Sequence, residues 1–466
     1  MSRPGTLGEL RASGWRSRPV KEEVRANAVA RMAAGRPLVD GIVGYDDTVL
    51  PQLENALLAG HDVIFLGERG QAKTRIIRSL VDLLDEWSPT VAGSEVHDDP
   101  YHPISQHARL LVAERGDETP IEWVHRERRF GEKLATPDTS IADLIGEVDP
   151  IKVAEGRYLA DELTIHYGLV PRTNRGIFAI NELPDLAERI QVGLLNVLEE
   201  RDVQIRGYKI RLPLDLLLVA SANPEDYTNR GRIITPLKDR FGSQIRTHYP
   251  LDVDTEMDVV AAEARPLEAE GLRVSVPSFM AEIVAEISHQ ARRSPHVNQR
   301  SGVSVRLSIA NYETLVANAT RRALRLGETE VVPRVCDLDA LVASTAGKIE
   351  IESLDDGREE QVLDRMVKGA CLEVFRARCR PERLAPAVAA FDEGLVVDTG
   401  EDVRTTEYAQ LLSQLPGLRE TLGDLGVGET PAEVASAIEL VLEGLHLSKR
   451  LNKDSVGGRA SYRARG

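Results

Sequence analysis

Apolar and polar positions follow two regimes along this chain, divided near residue 252. Before it, short apolar runs of strand length alternate with stretches whose apolar residues recur every three or four positions. Residues 21–33 have the spacing of an amphipathic helix, a helical segment runs up to Leu58, and 61–66 is an apolar run of strand length. Residues 74–84 are predicted helical, with Ile76, Ile77, Leu80 and Leu84 on one side. The stretch 88–118, rich in Pro, His and Asp, reads as an irregular excursion, 121–124 as a short strand and 143–169 as largely helical. Three more runs bounded by turn residues, 176–180, 214–221 and 243–247, are predicted strands. Strands alternating with helices imply a mostly parallel sheet covered on both faces. Beyond 252 the strand signals vanish: 278–293, 303–326, 338–346, 359–378 and 430–449 all carry helical spacing, and a Gly/Ser/Arg tail is expected to be disordered.

This pattern divides the chain into a helical lead-in (1–40), an α/β core (41–251), a helical lid (252–348), a further helical region (349–450) and a tail (451–466). A length of 466 residues agrees with several domains. Aromatic residues make up 4 % against 42 % hydrophobic, so the core is expected to be aliphatic. The formal charge of −16 argues against a general nucleic-acid or membrane-surface binder, because phosphate recognition needs local positive charge. Cys336, Cys371 and Cys379 match neither a disulfide framework nor a zinc pattern and are expected to be small buried side chains. The start Met1-Ser2-Arg3-Pro4 lacks the apolar run of a signal peptide, and no stretch approaches a membrane span, so a cytoplasmic protein is expected.

The strand 61–66 leads into Gly67-Glu68-Arg69-Gly70-Gln71-Ala72-Lys73-Thr74 and then a helix. Strand, tight loop, Lys-Thr and helix, in that order, are what a triphosphate site requires. Loop N–H groups wrap the phosphates, the Lys73 ammonium neutralises their oxygens, and the Thr74 hydroxyl ligates Mg²⁺. Ala72 stands where the strict pattern has Gly. Ala lets the backbone approach, provided its φ is negative.

The run Gly176-Ile177-Phe178-Ala179-Ile180 ends in Asn181-Glu182, which is how a strand delivers polar groups to the metal edge of such a site. Glu182 is expected to polarise the attacking water. Asn181 occupies the position where Asp usually holds Mg²⁺ through its waters, so hydrolysis is expected to be slow. The next strand ends in Ala222-Asn223-Pro224, where Asn223 can bond the γ-phosphate and orient the water. Arg240 closes a short helix in Thr235-Pro236-Leu237-Lys238-Asp239-Arg240, a place from which an arginine finger reaches a neighbouring subunit's nucleotide. Arg306 opens a helix in the lid, suited to sensing nucleotide.

With these residues the sequence resembles the AAA+ ATPases of the MoxR and magnesium-chelatase group. Ala before Lys73 is similar to the MoxR form of the loop, and Asn174-Arg175-Gly176 through Glu182 resembles the chelatase segment except at Asn181. Residues 196–211 resemble the β-hairpin this clade inserts before its sensor strand, and Gly168-Leu169-Val170-Pro171 marks its helical insertion. Asn223-Pro224-Glu225 and Leu237 to Gly242 match the sensor and finger segments. The resemblance covers about 40–346. It implies an AAA+ core with a mostly parallel sheet and a lid, ATP and Mg²⁺ as cofactors, and Ile42, Val43 and Gly44 lining the adenine. It also implies a homo-oligomeric ring, a hexamer, and a partner carrying a von Willebrand A-type domain. A chelatase motor inserting Mg²⁺ into a porphyrin, a nucleic-acid motor or transcription activator using Arg206, Lys209 and Arg211 of the hairpin, and a non-hydrolysing sensor are the alternatives. Nucleic acid is the less expected of the partners, for the charge reason above.

Overall fold

The computed structural model describes residues 3–148, 164–199, 203–205, 208–210, 212–223, 232–267, 270–298, 302–351, 358–456 and 458–465. They divide into two compact units, Met1–His248 and Tyr249–Gly466.

The first unit is built on five strands: β1 (Val63–Leu66), β2 (Phe130–Leu134), β3 (Gly176–Asn181), β4 (Leu216–Ala222) and β5 (Ser243–Arg246). Their order is β5-β1-β4-β3-β2, and every pairing is parallel. Alternate residues of one strand enter two separate cores, as the two-residue period of a strand demands. Phe178 and Ile180 join Ile64, Leu218 and Ala220 on one face. Ile177 and Ala179 join Val63, Phe65, Leu217, Val219 and Ile245 on the other. Strands buried on both faces read as unbroken apolar runs, which explains why β1, β3 and β4 are legible in the sequence.

The second face is covered by α1 (Val20–Ala33), α2 (Val49–Ala59) and α3 (Lys73–Ser79), the last continued by a 3₁₀ turn over Leu80–Leu83. The lead-in is therefore part of the core. Val20, Val24 and Ala28 are buried in the same cluster as β1, and Glu23 makes a buried two-point ion pair with Arg129, at 2.9 and 2.7 Å.

Several expectations for this unit are corrected. The excursion at 88–118 contains a strand, Trp87–Val91, paired antiparallel with Ile121–His125, and a helix, Gln106–Arg115, capped by the Ser105 side chain. Its prolines hid it: Pro89 sits in a two-stranded pair, where an edge tolerates a missing N–H. The part of 143–169 that is described is mainly an antiparallel pair, Gly146–Val148 with Ile165–Tyr167, and only its ends, in Ile141–Leu144 and Leu169–Arg172, are helical. Gly146 has φ +123, and a Cβ there would lie 2.4 Å from the His166 carbonyl oxygen. The hairpin is present, Val203–Ile205 pairing antiparallel with Tyr208–Ile210. Pro224, Glu225, Arg206 and Arg211 lie outside the described residues, as does the middle of the insertion.

In the second unit α4 (Ser278–Arg293), α5 (Arg306–Leu326), α6 (Arg358–Arg378) and α7 (Pro431–Leu447) supply much of the core. One cluster runs from Phe279 through Ala370, Phe391 and Ile438 to Tyr462, so the residues expected to form a lid and a separate terminal region share a core. Strands do occur here. Val397–Gly400, Leu451–Val456 and Arg459–Ala464 form an antiparallel sheet, which overturns the expected disorder of the tail. Tyr462 anchors it, 2 % exposed and donating to Glu443 Oε2 at 2.6 Å. Short parallel strands also pair at Arg273–Val274 and Glu330–Val331. Cys371 and Cys379 are buried as expected, Cys336 partly so, and burial pushes the Cys379 thiol up to about 12. Among the described residues no helix is long and apolar enough to cross a membrane.

Candidate functional site

The loop leaves β1 at Gly67, and a side chain there has no room. A Cβ would lie 1.9 Å from Thr247 Oγ1 and 2.2 Å from Gln71 Oε1. Gln71 is folded into the loop, its Oε1 accepting from the Glu68 N–H at 3.0 Å and from Thr247 Oγ1 at 2.7 Å. Gly70 turns the chain with φ +75. Ala72 then takes φ +54 as the residue that starts α3. The condition of a negative φ therefore fails: the turn into the helix needs a left-handed residue, and Ala accepts it at a cost of about 1–2 kcal/mol.

Lys73 is 6 % exposed, and its ammonium is fully engaged by the loop and the next strand. It donates to the Gly67 carbonyl, to the Glu68 carbonyl at 2.7 Å and to Asn223 Oδ1 at 2.8 Å. Asn223, at the end of β4, passes the connection on, its Nδ2 donating to Glu182 Oε2 at 2.8 Å. The amide can sit only this way round, because an ammonium only donates and a carboxylate only accepts. Glu182 has φ +56, a left-handed turn directly after β3. Strain at that position is tolerated where neighbours over-determine the conformation. Lys73, Asn223 and Glu182, from three places in the sequence, thus form one relay.

Asn181 is 7 % exposed. Its Nδ2 donates to Glu132 Oε1 at 2.6 Å, and its Oδ1 accepts from Ser221 Oγ at 3.3 Å. Glu132 lies on β2 and also accepts from Arg78 Nε of α3 at 2.8 Å. Sequence reasoning missed Glu132, because the strand Phe-Gly-Glu-Lys-Leu has no apolar alternation to announce it.

Ile42, Val43 and Gly44 are half-buried ahead of Tyr45. The Tyr45 hydroxyl lies 3.0 Å from the Gln71 carbonyl and 2.8 Å from the His248 carbonyl, bringing this segment against the loop. Burial pushes the phenol up to about 12. Thr48 Oγ1 and His248 Nε2, 2.8 Å apart, brace the same corner. Tyr45, Thr247 and His248 were not singled out as site residues from sequence, although Thr247 ends the predicted strand 243–247 and the other two directly adjoin segments that were. A cavity of about 360 Å³ beside the loop is lined by Gly67, Glu68, Gln71, Lys238, Arg246 and Thr247 among others.

Arg240 ends the helix Thr235–Arg240 and is exposed. Arg306 is the exposed first residue of α5, in the second unit. The Asn174-Arg175-Gly176 segment proves structural. Arg175 Nη1 donates to the Pro89 carbonyl at 2.7 Å, Asn174 Oδ1 accepts from the Asp215 N–H at 2.8 Å, and a Cβ on Gly176 would meet the Arg129 carbonyl oxygen at 1.9 Å.

The donor set suits a magnesium–nucleotide complex. Thr74, Asn181, Glu182 and Glu132 offer hard oxygen atoms, which Mg²⁺ prefers. Among the described residues no group of three or more His, Cys, Asp and Glu is placed to hold a metal unaided.

No family model matches the chain. Curated relatives do. It is 30 % identical over 231 residues to magnesium-chelatase subunit ChlI-1 of Arabidopsis thaliana, covering 48 % of this chain and 51 % of that one. It is 30 % identical over 254 residues to the magnesium-chelatase 38 kDa subunit of Rhodobacter capsulatus, covering 50 % and 64 %. The chain is thus similar to ATPase subunits of magnesium chelatase over about half of its length. It spans about half to under two thirds of the length of those two relatives. A solved complex of the BchI and BchD subunits of magnesium chelatase matches 70 % of this chain and 100 % of its own, at 21 % identity and a TM-score of 0.35. In this chain the parallel sheet and the relay at its strand ends are the parts that bear on chemistry.

Proposed function

We propose that this AAA+ protein binds ATP with Mg²⁺ and hydrolyses it, acting in the cytoplasm as a ring of identical subunits, a hexamer, that remodels a partner protein bearing a von Willebrand A-type domain. The observation that carries the reading is the Lys73–Asn223–Glu182 relay at the mouth of the loop.

On binding, the triphosphate exchanges with the loop carbonyls for the Lys73 ammonium, and the N–H groups of 67–74 wrap its oxygens. Ile42, Val43 and Gly44 line the adenine. Thr74, with Asn181 behind it, would hold Mg²⁺, which would supply positive charge against that developing on the phosphates. Release of Lys73 from Asn223 frees that amide to meet the γ-phosphate, while Glu182 orients the attacking water. Arg240 from the neighbouring subunit completes the positive charge, and Arg306 couples the second unit to nucleotide state. Positioning and electrostatic stabilisation are most of what phosphoryl transfer asks of a protein.

The test is a Lys73→Ala variant assayed for ATP binding and turnover, with the parent sized by light scattering with and without ATP. Loss of both activities in the variant and a nucleotide-dependent ring in the parent are expected. A variant that hydrolyses ATP like the parent, or a parent that stays monomeric, overturns the reading. A chelatase motor acting on a porphyrin is the second reading, favoured by the kinship with magnesium-chelatase subunits. Magnesium-porphyrin formation that depends on this chain would select it.

A further inference from the structure

Behind the metal edge, a charge stands on the strand next to the one that ends in Asn181. Asn181 carries no charge, yet its Nδ2 lies 2.6 Å from Glu132 Oε1, on the adjacent strand. Glu132 is close to the nucleotide edge for a second reason. Its other oxygen binds Arg78, and Arg78 and Thr74 are four residues apart on α3, so they share one helix face about one turn apart. The Asn181 amide also has one possible orientation. A carboxylate accepts only, so the NH₂ faces Glu132 and Oδ1 faces the Ser221 hydroxyl side.

We propose that Glu132 is the carboxylate of the metal edge, acting through Asn181 as a positioning residue for Mg²⁺. A hydrogen bond from the amide NH₂ to an anion polarises the amide and draws electron density onto Oδ1. Oδ1 thereby becomes a stronger acceptor for a metal-bound water than an ordinary amide oxygen, and the Glu132 charge contributes at longer range. The arrangement has a consequence that a lone substitution would hide. An Asp at position 181 would set two carboxylates against each other across the 2.6 Å now spanned by a hydrogen bond. Restoring Asp there does not, by itself, improve the site.

The inference rests on the reading of the site as one for Mg²⁺ and ATP, and the experiment separates the two. The full-length chain and the variants Glu132→Gln, Asn181→Asp and the double variant are titrated with a fluorescent ATP analogue, in Mg²⁺ and in EDTA. The ratio of the two affinities isolates the metal's contribution from folding and from loop binding. Glu132→Gln is expected to lower that ratio about tenfold, as loss of an outer partner of a metal ligand does. Asn181→Asp leaves the ratio at or below that of the parent, and the double variant returns it to the parental value. An unchanged ratio in Glu132→Gln overturns the inference, as does a ratio raised by Asn181→Asp alone or a double variant no better than Glu132→Gln. Parallel loss of affinity in Mg²⁺ and EDTA would mark Glu132 as merely structural. A parent that binds the analogue in neither condition overturns the reading of the site itself, and this inference with it.

Discussion

The two edges of the proposed nucleotide site depart from the strict P-loop pattern in different currencies of energy. At the loop edge the departure is steric: Ala72 holds the left-handed turn, φ +54, that a glycine would hold without cost. At the carboxylate edge it is electrostatic: Asn181 lacks a charge, and a charge stands 2.6 Å away on Glu132. A backbone misfit is confined to its own residue and costs a small fixed amount. A missing charge acts through space, so a neighbouring strand can supply it and the strand-end residue alone is a poor guide to the chemistry.

The largest expected break between the two edges comes from Glu182→Gln. The amide of Gln can still meet Asn223, so the relay and the loop persist while the carboxylate proposed to polarise water is lost. Single-turnover hydrolysis should fall by about 100-fold or more, the scale of a general base, with nucleotide affinity little changed. A fall confined to affinity would place Glu182 with the binding edge instead.

That division also marks what was legible in the sequence. The loop, Asn181, Glu182 and Asn223 lie at the ends of strands buried on both faces, and such strands announce themselves as apolar runs. Three of the four also meet in space. Lys73, Asn223 and Glu182 form a chain of hydrogen bonds that their separations in sequence do not disclose. The missed partners sit where pattern is weak. β2 is an edge strand of mixed polarity, so Glu132 went unseen. The hairpin of the last sixteen residues depends on Leu451 and Tyr462 finding a core built elsewhere in the chain, which local spacing cannot express. The lead-in helix is periodic and was found, whereas its buried Glu23–Arg129 pair joins residues 106 apart and was not.

A middle-sized effect is expected at Gly67. A methyl group there would displace both Thr247 Oγ1 and Gln71 Oε1 and break the buried bond between them. Gly67→Ala should lower stability by ~1–3 kcal/mol, the usual cost of overpacking. Urea unfolding measures it. Combining it with Thr247→Ala removes the nearer obstruction and should recover part of the loss. A single variant as stable as the parent would mean that the loop edge is softer than its packing implies.

The smallest effect, and the one that tests the comparison most directly, is Ala72→Gly. Two terms oppose each other. Gly removes the left-handed strain, worth ~1–2 kcal/mol for an L-residue. Against that, Gly makes the unfolded chain more flexible, at ~0.4–1 kcal/mol. Because Ala72 starts α3 and is not inside it, no helix-interior penalty is added. The net expectation is a gain of about 0.5–1 kcal/mol in urea unfolding, since strain at a positive φ outweighs the entropy of the unfolded chain. Affinity for nucleotide should move in the same direction or not at all, because the N–H groups keep their places. A loss of stability would show that the left-handed turn is held by the loop's own hydrogen bonds so firmly that Ala is no burden there.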